Sequence, residues 1–201
     1  MSNFALLFRF LFLAGFSFLL FHFDLASQSK TSRTNKTDDL SQQEIDIMTA
    51  GPQHQLLYMF EGSWKVLFTY YQELNPESFG KGESENKLFF NNKFIEINTE
   101  LQTDELTFHL KMTLGFDKRI SKYFIFVLDD ISTYPRYAEG DYDEETRTFT
   151  FSGEAFDIFK SANTPFKITL KFEDDRKFVF KSIVGEGKKA ITTYQMNFLK
   201  K

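Results

Sequence analysis

Two of the side chains most used in acid–base, nucleophilic and metal chemistry are scarce in the chain: there are three histidines (His22, His54 and His109) and no cysteine. His22 lies in an apolar N-terminal stretch. His54 follows Gly51-Pro52-Gln53, where proline suits a first helical turn. Its ring there either makes a local hydrogen bond or stands as a polar group at a cavity entrance. His109 falls on the polar side of an alternating run and is expected in solvent. No His-x-His, HExxH or cysteine ligand set occurs, so no metal is expected. DYDEETRT (Asp141 to Thr148) lacks the glycine and terminal glutamate of a calcium loop and reads as a hairpin turn. The pairs Asp129-Asp130 and Asp174-Asp175 end strands and are expected to be solvated. A Gly-x-Ser-x-Gly elbow, a phosphate loop and a dinucleotide fingerprint are all missing, and no cofactor is expected. Arg136, between Tyr134-Pro135 and Tyr137, has the clearest potential. A guanidinium flanked by aromatics beside a cavity pairs with a ligand carboxylate; the alternative is a surface arginine in a loop.

These residues need a scaffold, and composition bounds it. The 201 residues carry a formal net charge of −4 and include 27 Phe, 8 Tyr and a single Trp. That length favours one domain, and the aromatics supply a large core or a lined cavity. Lys and Arg are interleaved with Asp and Glu, which gives no basic stripe for nucleic acid.

The first 26 residues differ from the rest. Phe10 to Phe23 carries no formal charge, with Arg9 before it and Asp24 after. As a helix this run spans about 21 Å, short of the roughly 30 Å hydrocarbon core. Residues 1–26 are therefore expected to be a signal peptide, or a membrane anchor if they are retained from Phe4 to Phe23. Either reading exports the remaining chain to the periplasm or beyond the cell, or leaves it anchored to the membrane. Residues 27–48 are rich in Ser, Thr, Asn and charge and read as a polar tether, with a short helix beginning near Glu44.

From Thr49 the punctuation changes. GPQHQLLYMFEG predicts a short helix that stops at Gly62, and Gly62-Ser63-Trp64 opens the first strand. Beyond it the period is two. Trp64, Val66, Phe68 and Tyr70 share one face; so do Ile95, Ile97, Thr99 and Leu101; so do Leu106, Phe108, Leu110, Met112 and Leu114; so do Phe166, Ile168, Leu170 and Phe172. Six further strands fit the remaining runs. Turn chemistry lies at Asn91-Asn92, Gly115 to Lys118, Asp143 to Thr146, Asp174-Asp175 and Gly185 to Gly187. About ten hairpin-linked strands predict an all-β, up-and-down antiparallel barrel with a short N-terminal helix packed at one end. Ten strands enclose more than side chains of eight fill, so an internal cavity is expected.

GPQHQLLYMFEGSW, then LGFDKRISKYFIFVLDD, then EGDYDEETRTFTFSGE, resembles the domain-of-unknown-function 1579 family in order and spacing, from about Thr49 to the C-terminus. The resemblance implies a calycin-like barrel, related in shape to lipocalins. It also implies that Trp64 sits at the closed end beneath the N-terminal helix. Calycins often lay a late arginine over this tryptophan; here the matching residue is Lys200. The family's tryptophan two residues before the strand-ending aspartate is replaced by Val127. Haem, as in nitrobindin-type barrels, requires an inward histidine on a late strand, and none exists from 110 to 201.

The leading expectation is an exported barrel that binds a small apolar or amphiphilic molecule. Its candidate lining is Trp64, Val66, Phe68, Tyr70, Phe108, Leu110 and Met112, with Arg136 as polar anchor. The alternatives are a barrel enzyme on a lipid-like substrate, needing a perturbed inward acid–base pair, and an interaction module with a filled core.

Overall fold

The computed structural model describes residues 41–71, 78–158 and 160–201. The apolar leader and most of the polar tether lie outside the described residues. Helix α1 (Gln42–Met48) is closed by a reciprocal cap, the Ser41 hydroxyl and the Glu44 carboxylate each taking the other's backbone N–H. It starts two residues before the expected Glu44 and buries none of its side chains. A second segment, α2 (Pro52–Gln55), continues as a 3-10 helix over Leu56–Phe60 and buries Leu57 and Phe60.

Ten strands follow: β1 (Gly62–Tyr70), β2 (Ser78–Phe89), β3 (Phe94–Thr103), β4 (Thr107–Asp117), β5 (Lys122–Asp129), β6 (Arg136–Asp143), β7 (Thr148–Asp157), β8 (Ala162–Asp174), β9 (Lys177–Val184) and β10 (Ile191–Lys200). Each pairs antiparallel with its sequence neighbour, and β1 pairs with β10 to close the barrel. The closed sheet and its buried core lie within residues 57–200, and residues 51–56 pack against them, so residues 41–201 carry the whole described unit. Connections after β2, β4, β6 and β8 join the α2 segment at one end, here the closed end. Those after β3, β5, β7 and β9 surround the other end, the mouth.

Period-two alternation places the inward side chains as expected, with Ile95, Ile97, Thr99 and Leu101 all buried on β3. Leu106 is the exception: it lies in the turn before β4 and is exposed. The expected turn at Gly115 to Lys118 also moves. Strand β4 runs on to Asp117, and Gly115 faces outward beneath the rings of Phe94 and Phe124, where any Cβ would collide with them. Its glycine serves aromatic packing, and the chain reverses at Lys118 to Ser121 instead. Gly140 on β6 answers a different constraint, because a Cβ there would run into the Thr150 carbonyl of β7.

The closed half is filled by rings where a cavity was expected. Phe178 stacks on Phe198 at 4.2 Å, Trp64 meets Phe178 edge-on at 4.8 Å, and Phe60 meets Phe172 at 4.8 Å. Such pairs add about 0.5–1.5 kcal/mol each beyond the area they bury. The plug is held by one carbonyl: Phe60 O accepts from Trp64 Nε1 at 2.9 Å and from Asn86 Nδ2 at 2.8 Å. Asn86 Oδ1 in turn accepts from Ser84 Oγ at 2.6 Å, and Ser84 contacts Thr99 at 2.9 Å. This buried polar cluster has no ionisable member, so it offers no acid–base pair. Lys200 Nζ lies 5.3 Å from the Trp64 ring centroid, the place that calycins often give to arginine. On the opposite wall the Tyr123 hydroxyl donates to Gln53 O at 2.9 Å and pins α2 to the barrel. Burial pushes that phenol's pKa up to about 12.

Candidate functional site

The mouth is set by an irregularity in β10. Pairing with β9 slips between Thr192 and Tyr194, leaving Thr193 out of the ladder. Thr193 Oγ1 donates to Ser182 O at 3.2 Å and approaches Ser182 Oγ at 3.1 Å, while its carbonyl accepts from Tyr71 N at 2.8 Å. Past the slip, Tyr194, Met196 and Phe198 continue one alternating face, of which Met196 and Phe198 are fully buried. The Tyr194 ring stacks on Phe180 at 5.4 Å and stands 6.1 Å from Phe68.

Arg136 opens β6 opposite Val127, whose side chain is buried on the inward face of β5. That register turns Arg136 to the inward face of the barrel, at the start of a strand and not in a surface loop. Its Nη1 donates to the Tyr194 hydroxyl at 3.1 Å, and its guanidinium carbon lies 5.8 Å from the Tyr194 ring centroid. A guanidinium carries five N–H donors, and this is the hydrogen bond that its side chain makes among the described residues. Burial raises the Tyr194 pKa, opposed by Arg136 and reinforced by the carboxylate of Asp129. The phenol therefore stays protonated at neutral pH.

Asp129 departs from the solvated strand end that was expected. It is half-buried, and its Oδ1 accepts from Ser132 N at 2.6 Å, Ser132 Oγ at 2.7 Å and Ile131 N at 3.1 Å. Those bonds fold the β5–β6 connection back so that Arg136 enters the sheet beside Tyr194. Asp130 instead faces outward and binds His109 Nδ1 at 2.8 Å.

The candidate lining residues fall at three depths. Phe68, Tyr70 and Phe108 lie towards the mouth, with Phe68 and Phe108 at 5.6 Å in an edge contact. Leu110 and Met112 are buried further down β4, and Val66 is buried on β1. Trp64 is at the closed end, on the far side of the packed core. The structure thus joins Phe68 and Phe108 to Arg136 through Tyr194 and separates Trp64 from them. His54 takes the local role: Gly51 N–H donates to its Nδ1 at 3.0 Å, and burial lowers its pKa. His109 is exposed as expected, with Asp130 raising its pKa first among several causes.

Tyr194, Ser182 and Asp129 are site residues absent from the sequence-based candidates. Alternation through Tyr194, Met196 and Phe198 is the sequence signal for the first. Asp129 bonds locally, to Ile131 and Ser132, but the pair Asp129-Asp130 reads equally well as a solvated strand end; Ser182 is set by pairing across to Thr193 and leaves no local mark.

A family described as "Protein of unknown function (DUF1579)" matches residues 49–198. No curated protein matches the chain. Among solved structures, the chain is similar to the S-type phycobiliprotein lyase CPES from Guillardia theta, with a TM-score of 0.52 and 13% identity over 78% of this chain and 96% of that one. It is also similar to Rv2717c from M. tuberculosis, with a TM-score of 0.56 and 9% identity over 76% of this chain and 99% of that one. At these identities the likeness concerns the fold.

Proposed function

From the premise that the chain belongs to the DUF1579 family, we propose that its barrel binds a small amphiphile at the mouth, anion towards Arg136 and apolar part among Phe68, Phe108 and their neighbours. The observation that carries this reading is the inward guanidinium on Tyr194. Arginine is seldom taken into a sheet interior without a partner, and a neutral phenol does not neutralise it. A carboxylate does, through paired charge-assisted hydrogen bonds. The packed closed half supports a shallow site, with a short apolar segment desolvated near the mouth and not a long tail threaded through the barrel. The apolar leader supports a place for this binding outside the cytoplasmic membrane.

The test compares octanoic acid with its methyl ester on residues 41–201, by NMR chemical-shift titration. Wild type binds the acid more tightly than the ester, and Arg136→Ala loses that preference. One charge-assisted contact accounts for roughly 1.5–3 kcal/mol, or about ten- to a hundredfold in affinity. Equal affinity of wild type and Arg136→Ala for the acid would remove Arg136 from the site.

A further inference from the structure

The mouth carries a second feature that ligand binding does not use. Phe79, Leu106, Ile131, Tyr134, Phe156 and Ile158 are 44–70% exposed, and all stand at this end of the barrel. They come from four separate places around the opening: the start of β2, the β3–β4 turn, the β5–β6 connection and the end of β7 with the turn that follows it. Loops that reverse strands in water are ordinarily built from small and polar residues, and scattered single apolar residues need no explanation. Six large ones ringing one opening do.

We propose that this rim docks the barrel, mouth first, on an anionic lipid surface. A ring on separate loops presents no single flat face or groove for a folded partner. A lipid interface conforms to it, taking each side chain into the boundary between headgroups and acyl chains. The fifth connection adds charge: Lys188 and Lys189 form a short 3-10 helix between β9 and β10, and no ion pair among the described residues uses them. Lysines near an anionic leaflet are attracted to it. Asp104 and Glu105 in the β3–β4 turn and Glu186 beside the lysines oppose that attraction, so apolar insertion carries most of the binding and the lysines orient it. The same chain begins with the charge-free run Phe10 to Phe23, whose composition belongs at a membrane. Docking concerns the outer rim and is independent of the Arg136 reading.

The test is flotation of residues 41–201 with vesicles of phosphatidylcholine alone and of phosphatidylcholine with phosphatidylglycerol. Wild type floats with both, and more with the anionic vesicles. The pair Phe156→Ser and Ile158→Ser lowers partitioning roughly tenfold or more, since each removes a large inserted side chain. The pair Lys188→Glu and Lys189→Glu lowers it on anionic vesicles only. Phe90→Ser, 73% exposed in the β2–β3 turn at the opposite end, leaves it unchanged. All replaced rim residues are exposed, so unchanged thermal melting confirms the fold. Wild type that fails to float overturns the proposal. So does an equal loss with Phe90→Ser. So does a wild type that is dimeric without lipid and becomes monomeric in the Phe156/Ile158 variant, which would make the rim an interface between copies.

Discussion

The Phe60 carbonyl provides the sharpest test of how the barrel is plugged. It accepts from Trp64 Nε1 and Asn86 Nδ2, at 2.9 and 2.8 Å, and all three residues are at most 1% exposed. Either donor alone keeps the carbonyl satisfied. Trp64→Phe therefore costs mainly lost packing, about 1–2 kcal/mol. Asn86→Ala costs a similar amount, about 1–2 kcal/mol, because Ser84 keeps its contacts with Thr99 and Asn98 O. With both donors gone the carbonyl loses both side-chain partners, which adds roughly 1–3 kcal/mol beyond the sum of the singles. The assay is urea unfolding of residues 41–201, followed by circular dichroism because Trp64→Phe removes the only indole. Independent sites add to within about 0.3–0.5 kcal/mol. Additivity inside that window would refute the shared carbonyl as the plug's anchor. Trp64→Ala sets the outer limit at about 3–5 kcal/mol, and a loss under about 1 kcal/mol would show that the indole does not plug the barrel.

Two further perturbations follow. The histidines shift in opposite senses, and their contributions to stability run oppositely with pH. Burial holds the folded pKa of His54 below the ordinary imidazole value, so its contribution is lost as pH falls through that interval. Asp130 holds that of His109 above it, so its contribution is present at low pH and lost as pH rises through the raised value. Imidazole NMR titration should give His109 the higher pKa, and Asp130→Asn should bring it down while leaving His54 in place; a His109 that titrates below His54 contradicts the geometry. Gly140→Ala should destabilise by about 1–3 kcal/mol, since the Thr150 backbone cannot move aside as a flexible side chain does. Wild-type stability in that variant would show that β6 and β7 do not approach as closely as described.

The barrel was legible because its strands are wet on one face. Alternation through Ile95 to Leu101 or Phe166 to Phe172 leaves one consistent inward set, and a one-residue slip would put that set in water. The turn after β4 was misplaced because a glycine beside an aspartate looks the same whether it reverses the chain or lies beneath two rings. Which of these occurs at Gly115 depends on Phe94 and Phe124, brought there from neighbouring strands. The candidate site could be read from the sequence as residue types but not as directions. Arg136 was identifiable from its aromatic neighbours, yet its inward turn comes from pairing with Val127 across the β5–β6 connection. The expected cavity failed in the closed half for a countable reason. Strand number sets the enclosed volume, but Phe60, Trp64, Phe149, Phe172, Phe178 and Phe198 are fully or almost fully buried there and large enough to fill it.

The two ends of the barrel differ in how their polar groups are matched, and that difference is the strongest argument for where function lies. At the closed end one carbonyl receives two side-chain donors and Ser84 touches three oxygens. Nothing there is left for a ligand to satisfy, and a ligand would have to displace stacked rings to enter. At the mouth the ratio is reversed. A guanidinium with five donors meets one phenol, and the nearby Asp129 carboxylate is engaged by its own loop. A group that accepts two hydrogen bonds and carries negative charge would gain most at that point in the molecule, because it meets inward-turned donors of which only one is bonded within the protein. Tyr194 links the two regions: its ring stacks on Phe180 of the packed core while its hydroxyl holds the arginine. Tyr194→Phe keeps the stack and frees the guanidinium. In the octanoic acid titration it should weaken the preference for acid over ester less than Arg136→Ala does. A loss equal to that of Arg136→Ala would assign the anion contact to the phenol instead.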